Sequence, residues 1–229
     1  MSPSQPKTAL IFIDPYNDFL HPSGKLYPAL ADSLIESNTI EHIRTLLPVV
    51  REQKIPIYYC LHQQYKPDFY TGWKHMTTSH HQQKENKVFE EGSWGAQILE
   101  GLEPKVDNGD VVTSKHWNSR SAVDSLSFLA TRYSFNNTDL DFQLRQREIT
   151  HVVLAGLTAN ACMEATARYA YDMGYHVTML SDATAGFTVE QKKAATDIIW
   201  PLFADVLTVD EYVASLRTEG LKAEDVEGL

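Results

Sequence analysis

The clearest fold signal in the chain is the segment His151-Val152-Val153-Leu154-Ala155-Gly156-Leu157-Thr158-Ala159-Asn160-Ala161-Cys162. Its first residues form an apolar run that is typical of a buried strand, and the residues after Cys162 follow a helical pattern. A strand, a tight turn and a helix start in this order place the thiol of Cys162 at the positive end of a helix. This position favours the thiolate, which is the nucleophilic form of cysteine.

Two other strand-like runs also end in a reactive side chain. Residues 9–13 are apolar and run into Asp14, and residues 111–114 run into Lys115. In open α/β sheets, ligands bind beyond the carboxyl ends of the strands. The sequence therefore predicts an active site where the carboxylate, the amine and the thiol of Cys162 meet.

The remaining apolar patterning alternates short strands with longer helical segments. Strands are predicted at 8–13, 56–61, 111–114, 151–155, 175–180 and 206–209. Helices are predicted at 33–53, 138–147, 160–173, 189–200 and 211–217, with Thr138 and Asn160 as N-caps and Gly174 closing the third helix. This alternation predicts an α/β fold, a Rossmann-like three-layer α-β-α sandwich with a mostly parallel six-stranded sheet.

Composition narrows the class of protein. The 229 residues contain no linker, repeat or low-complexity block, so we expect one domain over residues 1–229. A net charge of −10 offers no basic footprint for nucleic acid, and no apolar run approaches the length of a membrane span. Residues 1–7 do not resemble a signal peptide, and two cysteines make no disulfide framework, so a cytoplasmic location is expected.

Two segments interrupt the alternation of strands and helices. Residues 62–95 and 116–137 are long, irregular and rich in aromatic side chains. Loops of this length in a compact domain are usually lids, binding loops or subunit contacts. The sequence leaves these three roles open for both segments.

Several motifs in the predicted order carry a family resemblance. They are Ile13-Asp14-Pro15-Tyr16-Asn17-Asp18-Phe19, the strand-end Lys115, Gly156-Leu157-Thr158-Ala159-Asn160-Ala161-Cys162-Met163-Glu164-Ala165-Thr166-Ala167, and Ser181-Asp182-Ala183-Thr184-Ala185-Gly186-Phe187. Together they resemble the isochorismatase-like cysteine hydrolases, which include nicotinamidases and other small-amide hydrolases. The resemblance runs from residue 8 to about residue 207 and implies an isochorismatase-like hydrolase domain.

The resemblance implies a catalytic triad and an oxyanion hole. Cys162 is expected to attack an amide-type carbonyl and form a thioester. Asp14 is expected to accept the thiol proton, pass it to the leaving amine and then activate water, while Lys115 keeps both anions charged. The backbone N–H groups of Thr158 and Cys162 are the candidate oxyanion hole, and a cis peptide bond is expected at Leu157-Thr158.

Cysteine, aspartate and lysine residues in such positions also have structural interpretations. Cys60, inside a predicted strand, is expected to be an inert buried thiol. An aspartate after a strand is often only a turn former. The family resemblance is the main reason to assign Asp14 a catalytic role instead. A lysine in a loop is normally a solvated surface residue. Lys115 is a candidate site residue because the predicted strand before it ends at the same edge of the sheet as Asp14 and Cys162.

A catalytic metal or cofactor is not expected. Nicotinamidases carry an Asp-x-His cluster just after the second strand, whereas this chain reads Cys60-Leu61-His62-Gln63-Gln64-Tyr65 there. His80 and His81 are adjacent, so their side chains diverge, and no carboxylate lies at ligand spacing. The missing cluster also argues against nicotinamidase itself.

The pocket walls are predicted from residues near the strand ends. Four side chains are expected to face the substrate, namely Asn17, Phe19, Asn160 and Phe187. Three aromatic residues either close over the cleft or pack the loops onto the core, namely Trp94, Trp117 and Phe135. Phe135 belongs to a Ser-Phe element that lies about twenty positions beyond Lys115, farther than in relatives, which indicates an inserted lid or dimer arm.

These observations favour a cysteine hydrolase that cleaves a C–N bond in a small non-peptide amide, ureide or lactam. One alternative is hydrolysis of an isochorismate-type vinyl ether, which needs an acid but no nucleophile. Others are a non-catalytic binding protein that keeps the fold, and a redox protein, which would normally show a resolving cysteine near Cys162. The expected partners are a small-molecule substrate and, by resemblance, further copies of the chain in a homodimer or homotetramer, with no nucleic acid or membrane.

Overall fold

The structure, a computed structural model, describes residues 7–113, 134, 135 and 138–227. Its described residues form a six-stranded, all-parallel sheet in the order β3-β2-β1-β4-β5-β6. The strands are β1 (Thr8–Ile13), β2 (Ile57–Cys60), β3 (Val111–Val112), β4 (His151–Gly156), β5 (His176–Leu180) and β6 (Asp205–Leu207). All six lie where the sequence predicts strands, with ends that differ by at most two residues.

Helices flank the sheet and complete the predicted Rossmann-like three-layer sandwich. They are α1 (Asn17–Leu20), α2 (Tyr27–Glu36), α3 (Thr39–Glu52), α4 (Thr78–Asn86), α5 (Leu140–Gln146), α6 (Glu164–Asp172), α7 (Val189–Lys193) and α8 (Val209–Glu227). A π-helical turn, Ala159–Met163, leads into α6. A second one, Ala194–Ile199, follows α7 and ends in a 3₁₀ turn, Trp200–Leu202. Among the described helices, none is long and apolar enough to cross a membrane.

The centre of the sheet is buried on both faces. Alternate residues of β1 enter opposite cores, with Leu10 and Phe12 on one side and Ala9, Ile11 and Ile13 on the other. Strands covered by helices on both faces are expected to be continuously apolar. The central strands are therefore largely apolar, and apolar runs in the sequence predicted their positions.

The register brings the ends of three strands together at the centre of the sheet. Ile13, the last residue of β1, lies opposite Cys60 on β2 and Gly156 on β4. The chain order reverses between β1 and β4, which is the switch point where open α/β sheets bind ligands. Asp14 therefore emerges beside the turn that carries Cys162.

Three helix predictions need correction. The helix predicted at 33–53 is split into α2 and α3, because Asn38 adopts a left-handed conformation with φ 46° and the Thr39 hydroxyl donates to the Thr184 carbonyl at 2.9 Å. Asn160 is not an N-cap. The helical turn already begins at Ala159, because the Thr158 carbonyl accepts the N–H groups of Ala161 and Met163. The last helix is also longer than predicted.

A buried ion pair joins α3 to the turn before β3, and we expect its loss to destabilise the fold. The Arg51 and Asp110 side chains are 9% and 0% exposed and lie 2.8 Å apart. Asp110→Asn leaves the guanidinium without its counter-charge, so the free energy of unfolding should fall by about 3 kcal/mol in urea denaturation. Glu41→Gln, which breaks an exposed pair with Arg44, is the control and should change nothing measurable. Equal stability of the two variants would contradict this expectation.

Candidate active site

Asp14 lies directly after β1 in a strained backbone conformation. Its φ is 51°, in the left-handed region, and non-glycine residues held there cost about 1–3 kcal/mol. The Asp14 N–H donates to the Cys60 carbonyl at 3.0 Å, which fixes the backbone. The carboxyl group is buried and hydrogen-bonded to the Cys162 thiol and to the backbone N–H of His62.

Cys162 lies in the π-helical turn Ala159–Met163 and is partly exposed. The approach to this turn requires glycine at position 156, where φ is 120° and a Cβ would lie 2.0 Å from the Ile13 carbonyl oxygen. The Leu157 N–H donates to the same carbonyl at 3.1 Å. The cis peptide bond expected at Leu157-Thr158 is present.

Burial changes the acid–base behaviour of the carboxyl and of the second thiol. It raises the pKa of Asp14 to about 7, and the hydrogen bonds from Cys162 and His62 offset part of this rise. Asp14 can therefore exchange a proton near neutral pH, as a general base and acid must. Burial also raises the pKa of Cys60 to about 12, so this thiol stays protonated and unreactive.

A cavity of about 340 Å³ opens in front of Cys162. Thr158, Asn160 and Ala161, from the turn after β4, line it together with Cys162. Aliphatic and aromatic side chains form a second part of the lining, namely Phe19, Leu26, Val88, Phe89 and Phe187. Polar side chains from the segment 62–95 form a third part, namely His62, Ser79, His80, Gln82 and Gln83.

The expected pocket residues divide into two groups. Phe19, Asn160 and Phe187 line the cavity. The structure places Asn17, Trp94 and Phe135 elsewhere. The Asn17 amide donates to the Trp94 carbonyl at 2.9 Å, the Trp94 ring packs edge-on against His21, and Phe135 is buried in the core against Tyr169 and Tyr175.

Lys115 and Trp117 lie outside the described residues, as does nearly all of the segment 116–137. Their places in the site stay predictions. Among the described residues, no group of three or more His, Cys, Asp and Glu side chains could hold a metal ion.

Sequence reasoning missed most of the wall that the segment 62–95 contributes. Phe89 is its centre, since the ring packs against Tyr16 and Phe19 at 4.9 Å and against His62 at 5.2 Å. The only signal in the sequence was the aromatic and polar composition of the segment, which does not say which side chains face a cavity. The segment thus contributes part of the cavity lining, and its role stays a prediction.

A small aromatic cluster supports the helix α4 in this wall. The rings of Phe69, Tyr70 and Trp73 pack within 5.3 Å of one another, and His80 packs against Trp73. The Tyr70 hydroxyl donates to Gln83, whose amide donates to the Gln63 carbonyl at 3.0 Å. The face of α4 that lines the cavity is thus fixed by packing and hydrogen bonds.

Comparison with known proteins identifies the family of this fold and site. Residues 8–211 match the family model of the isochorismatase domain, and the chain belongs to this family. A cysteine hydrolase from Pseudomonas syringae pv. phaseolicola 1448A has the same fold, with a TM-score of 0.70, 24% identity and 93% of each chain covered. An isochorismatase family protein from Burkholderia thailandensis is 25% identical, with a TM-score of 0.66 over 93% of this chain and 97% of that one.

A third similar structure is named for an activity. It is the N-carbamoylsarcosine amidase from Thermoplasma acidophilum, which is 25% identical with a TM-score of 0.60 over 89% of this chain and 97% of its own. The family and these neighbours support hydrolase activity for the chain.

Proposed function

We propose that this protein is a cysteine hydrolase that cleaves the C–N bond of a small non-peptide amide, ureide or lactam through a thioester. The observation that carries the proposal is the hydrogen bond between the Asp14 carboxyl and the Cys162 thiol beside an open cavity. A buried carboxyl that exchanges protons near pH 7 is matched to activating a thiol at neutral pH.

The proposed reaction has two steps that use the same two residues. In the first, the sulfur of Cys162 bonds to the carbonyl carbon, the thiol proton passes to Asp14 and then to the leaving amine, and the C–N bond breaks. In the second, Asp14 takes a proton from water as the water oxygen attacks the thioester. The C–S bond breaks, the acid product leaves, and the proton returns to the thiolate.

Further groups have proposed roles in these steps. The N–H groups of Thr158 and Cys162 are proposed to stabilise the oxyanion, and each such donor is worth about 3–4 kcal/mol. Lys115 is proposed to hold the two anions in charged form. A cavity of about 340 Å³ lies at the small end of ligand sites, which favours a small substrate.

The nucleophile in the cavity weighs against vinyl ether hydrolysis, which needs only an acid. A screen of small amides, ureides and lactams for ammonia release or ring opening tests the proposal. Acid quenching during turnover, followed by peptide mapping by mass spectrometry, should find the acyl group on Cys162. Turnover without an acylated chain would exclude the thioester, and binding without turnover would favour a non-catalytic binding protein.

The pH profile should report the ionisation of Asp14. Its carboxylate form is the base, and burial raises its pKa to about 7. Below that pH the rate of Cys162 alkylation by iodoacetamide should rise about tenfold per pH unit, and above it the rate should level off. Stopped labelling followed by mass spectrometry measures this rate. A profile that levels off below about pH 5 would mean that the carboxyl has an ordinary acidity.

Chelation should leave the activity intact, because every proposed step uses side-chain and backbone groups of the chain. Turnover of a substrate from the screen should be the same before and after dialysis against EDTA. Loss of turnover that added Zn²⁺ restores would overturn this expectation.

A further inference from the structure

Asp18 is a buried acidic residue to which the proposed chemistry assigns no role. It lies four residues after Asp14 and is 1% exposed. Its Oδ2 accepts the N–H of Phe89 at 2.7 Å, and its Oδ1 accepts the N–H of Lys25 at 3.2 Å. Hydrogen bonds accepted by a carboxylate are about twice as strong as neutral ones. Asp18 thus connects two segments that are more than sixty residues apart in the sequence.

The connected segments carry the apolar wall of the cavity. Phe89 and Leu26 line it, as does Phe19, the residue next to Asp18. The Asp18 backbone carbonyl accepts the Leu26 N–H at 2.9 Å, and the rings of Phe19 and Phe89 pack at 4.9 Å. All three apolar side chains therefore belong to segments that Asp18 contacts or adjoins.

Phe89 needs this support because its backbone is strained. Its φ is 53°, a left-handed conformation that bulky residues rarely adopt and that persists only where the surroundings enforce it. The Asp18 carboxylate holds the N–H of Phe89, and the Tyr65 N–H donates to the Phe89 carbonyl at 2.9 Å. Space for the carboxylate exists because residue 95 is glycine, where a Cβ would lie 2.3 Å from Oδ1.

We infer that Asp18 is a positioning residue for substrate binding, which holds Phe89, Leu26 and Phe19 as a wall that binds the apolar part of the substrate. The inference rests on the proposed function in taking this cavity as the substrate site. Its effect is on affinity and is separate from the reactivity of the thiol.

Asp18→Asn tests this role, because an amide has one acceptor oxygen and turns its NH₂ group toward the second N–H. N-benzylacetamide, a small amide with an apolar ring, should bind the wild-type protein in calorimetry, and mass spectrometry of the recovered probe shows whether it is cleaved. Cleavage would support the proposed function, and all Kd values are then measured in a Cys162→Ala background. The Kd of the probe should rise about tenfold in the variant, comparable to the loss of a small apolar contact. The rate of Cys162 alkylation by iodoacetamide, which has no ring, should stay within about twofold. Failure of iodoacetamide to label the wild type would count against the cysteine mechanism and not against the wall.

Asp110→Asn is the matched control. Asp110 is also buried and accepts a backbone N–H, from Lys105 at 2.8 Å, but it does not line the cavity. A general loss of stability would affect both variants, so an unchanged Kd in Asp110→Asn with a raised Kd in Asp18→Asn supports positioning. Equal Kd values in the two variants, or no binding of N-benzylacetamide to the wild type, would overturn the inference.

Two further variants connect the effect to Phe89. In a Phe89→Ala background, Asp18→Asn should change the Kd by less than about twofold, because the two residues act through one contact. Gly95→Ala places a Cβ where the Asp18 carboxylate lies and should displace it, so this variant should raise the Kd as Asp18→Asn does. It provides a second test if Asp18→Asn folds poorly. Fully additive effects of Asp18→Asn and Phe89→Ala would show that Asp18 does not act through this ring.

Discussion

Cys162→Ala should lower turnover at least about 10⁴-fold, because the variant has no atom that can form the thioester. The fold should persist, since Cys162 is partly exposed and packs only at the edge of the core. Binding of N-benzylacetamide should also persist, because the apolar wall is unchanged. Steady-state kinetics with a substrate from the screen, together with calorimetry, measures both properties.

Cys60→Ser is the matched control for this variant. Cys60 is the second thiol of the chain, and its contacts with Thr113 and Ser134 are ones that a serine hydroxyl can keep. Its turnover and its iodoacetamide labelling should match those of the wild type. Normal turnover by Cys162→Ala would rule out the thioester mechanism. Loss of iodoacetamide labelling in Cys60→Ser alone would mean that Cys60, and not Cys162, is the reactive cysteine.

Asp14→Asn should lower turnover about 10²–10⁴-fold, the usual contribution of general acid–base catalysis. Asparagine is nearly isosteric but accepts no proton from the thiol and delivers none to the leaving amine. Both acylation and deacylation should therefore slow. Single-turnover kinetics separates the two steps, and a variant that slows only one of them would contradict the double role of the carboxyl.

The same substitution should stabilise the fold above neutral pH. The native pKa of Asp14 is about 7 against an ordinary 3.8, so between these values the native state binds a proton that the unfolded chain has lost. Stability falls as the pH rises through this window, and about three pKa units correspond to as much as about 4 kcal/mol. The variant has no charge to bury and avoids this loss.

Urea denaturation at about pH 5 and pH 8 measures the effect. Relative to the wild type, Asp14→Asn should gain more at the higher pH than at the lower one. Loss of activity with a gain in stability is the pattern expected when a buried catalytic charge is removed. An equal change at both pH values would show that burial does not hold the carboxyl in its neutral form.

The parts of the site that were predicted from the sequence follow from local signals. Asp14 comes directly after one apolar run and Cys162 lies in the turn after another, and such runs in a parallel sheet are buried strands with their carboxyl ends at one edge. The wall residues Leu26 and Phe89 have no such signal. They reach the cavity through long-range contacts, among them the hydrogen bonds of Asp18 that connect their segments, and no periodicity in the sequence encodes those contacts.

The break between α2 and α3 and the start of the helical turn before α6 were not predicted, for a related reason. Periodicity reports which face of a segment is apolar, and this pattern continues across Asn38, so the break between α2 and α3 left no mark in it. The break is held by the bond from Thr39 to Thr184, 145 residues away. The start of the helical turn at Ala159 likewise depends on a long-range contact, because Gly156 and Leu157 pack against the Ile13 carbonyl at the end of β1.

The sequence by itself determined the order of the strands and the positions of Asp14 and Cys162 after β1 and β4, because burial of apolar runs and turn chemistry are local properties of the chain. Only the tertiary structure decided the acidity of Asp14 and the apolar wall around Phe89. Desolvation of a carboxyl and the shape of a cavity depend on which distant segments exclude water from the same place, and that is settled when the sheet and its loops pack together.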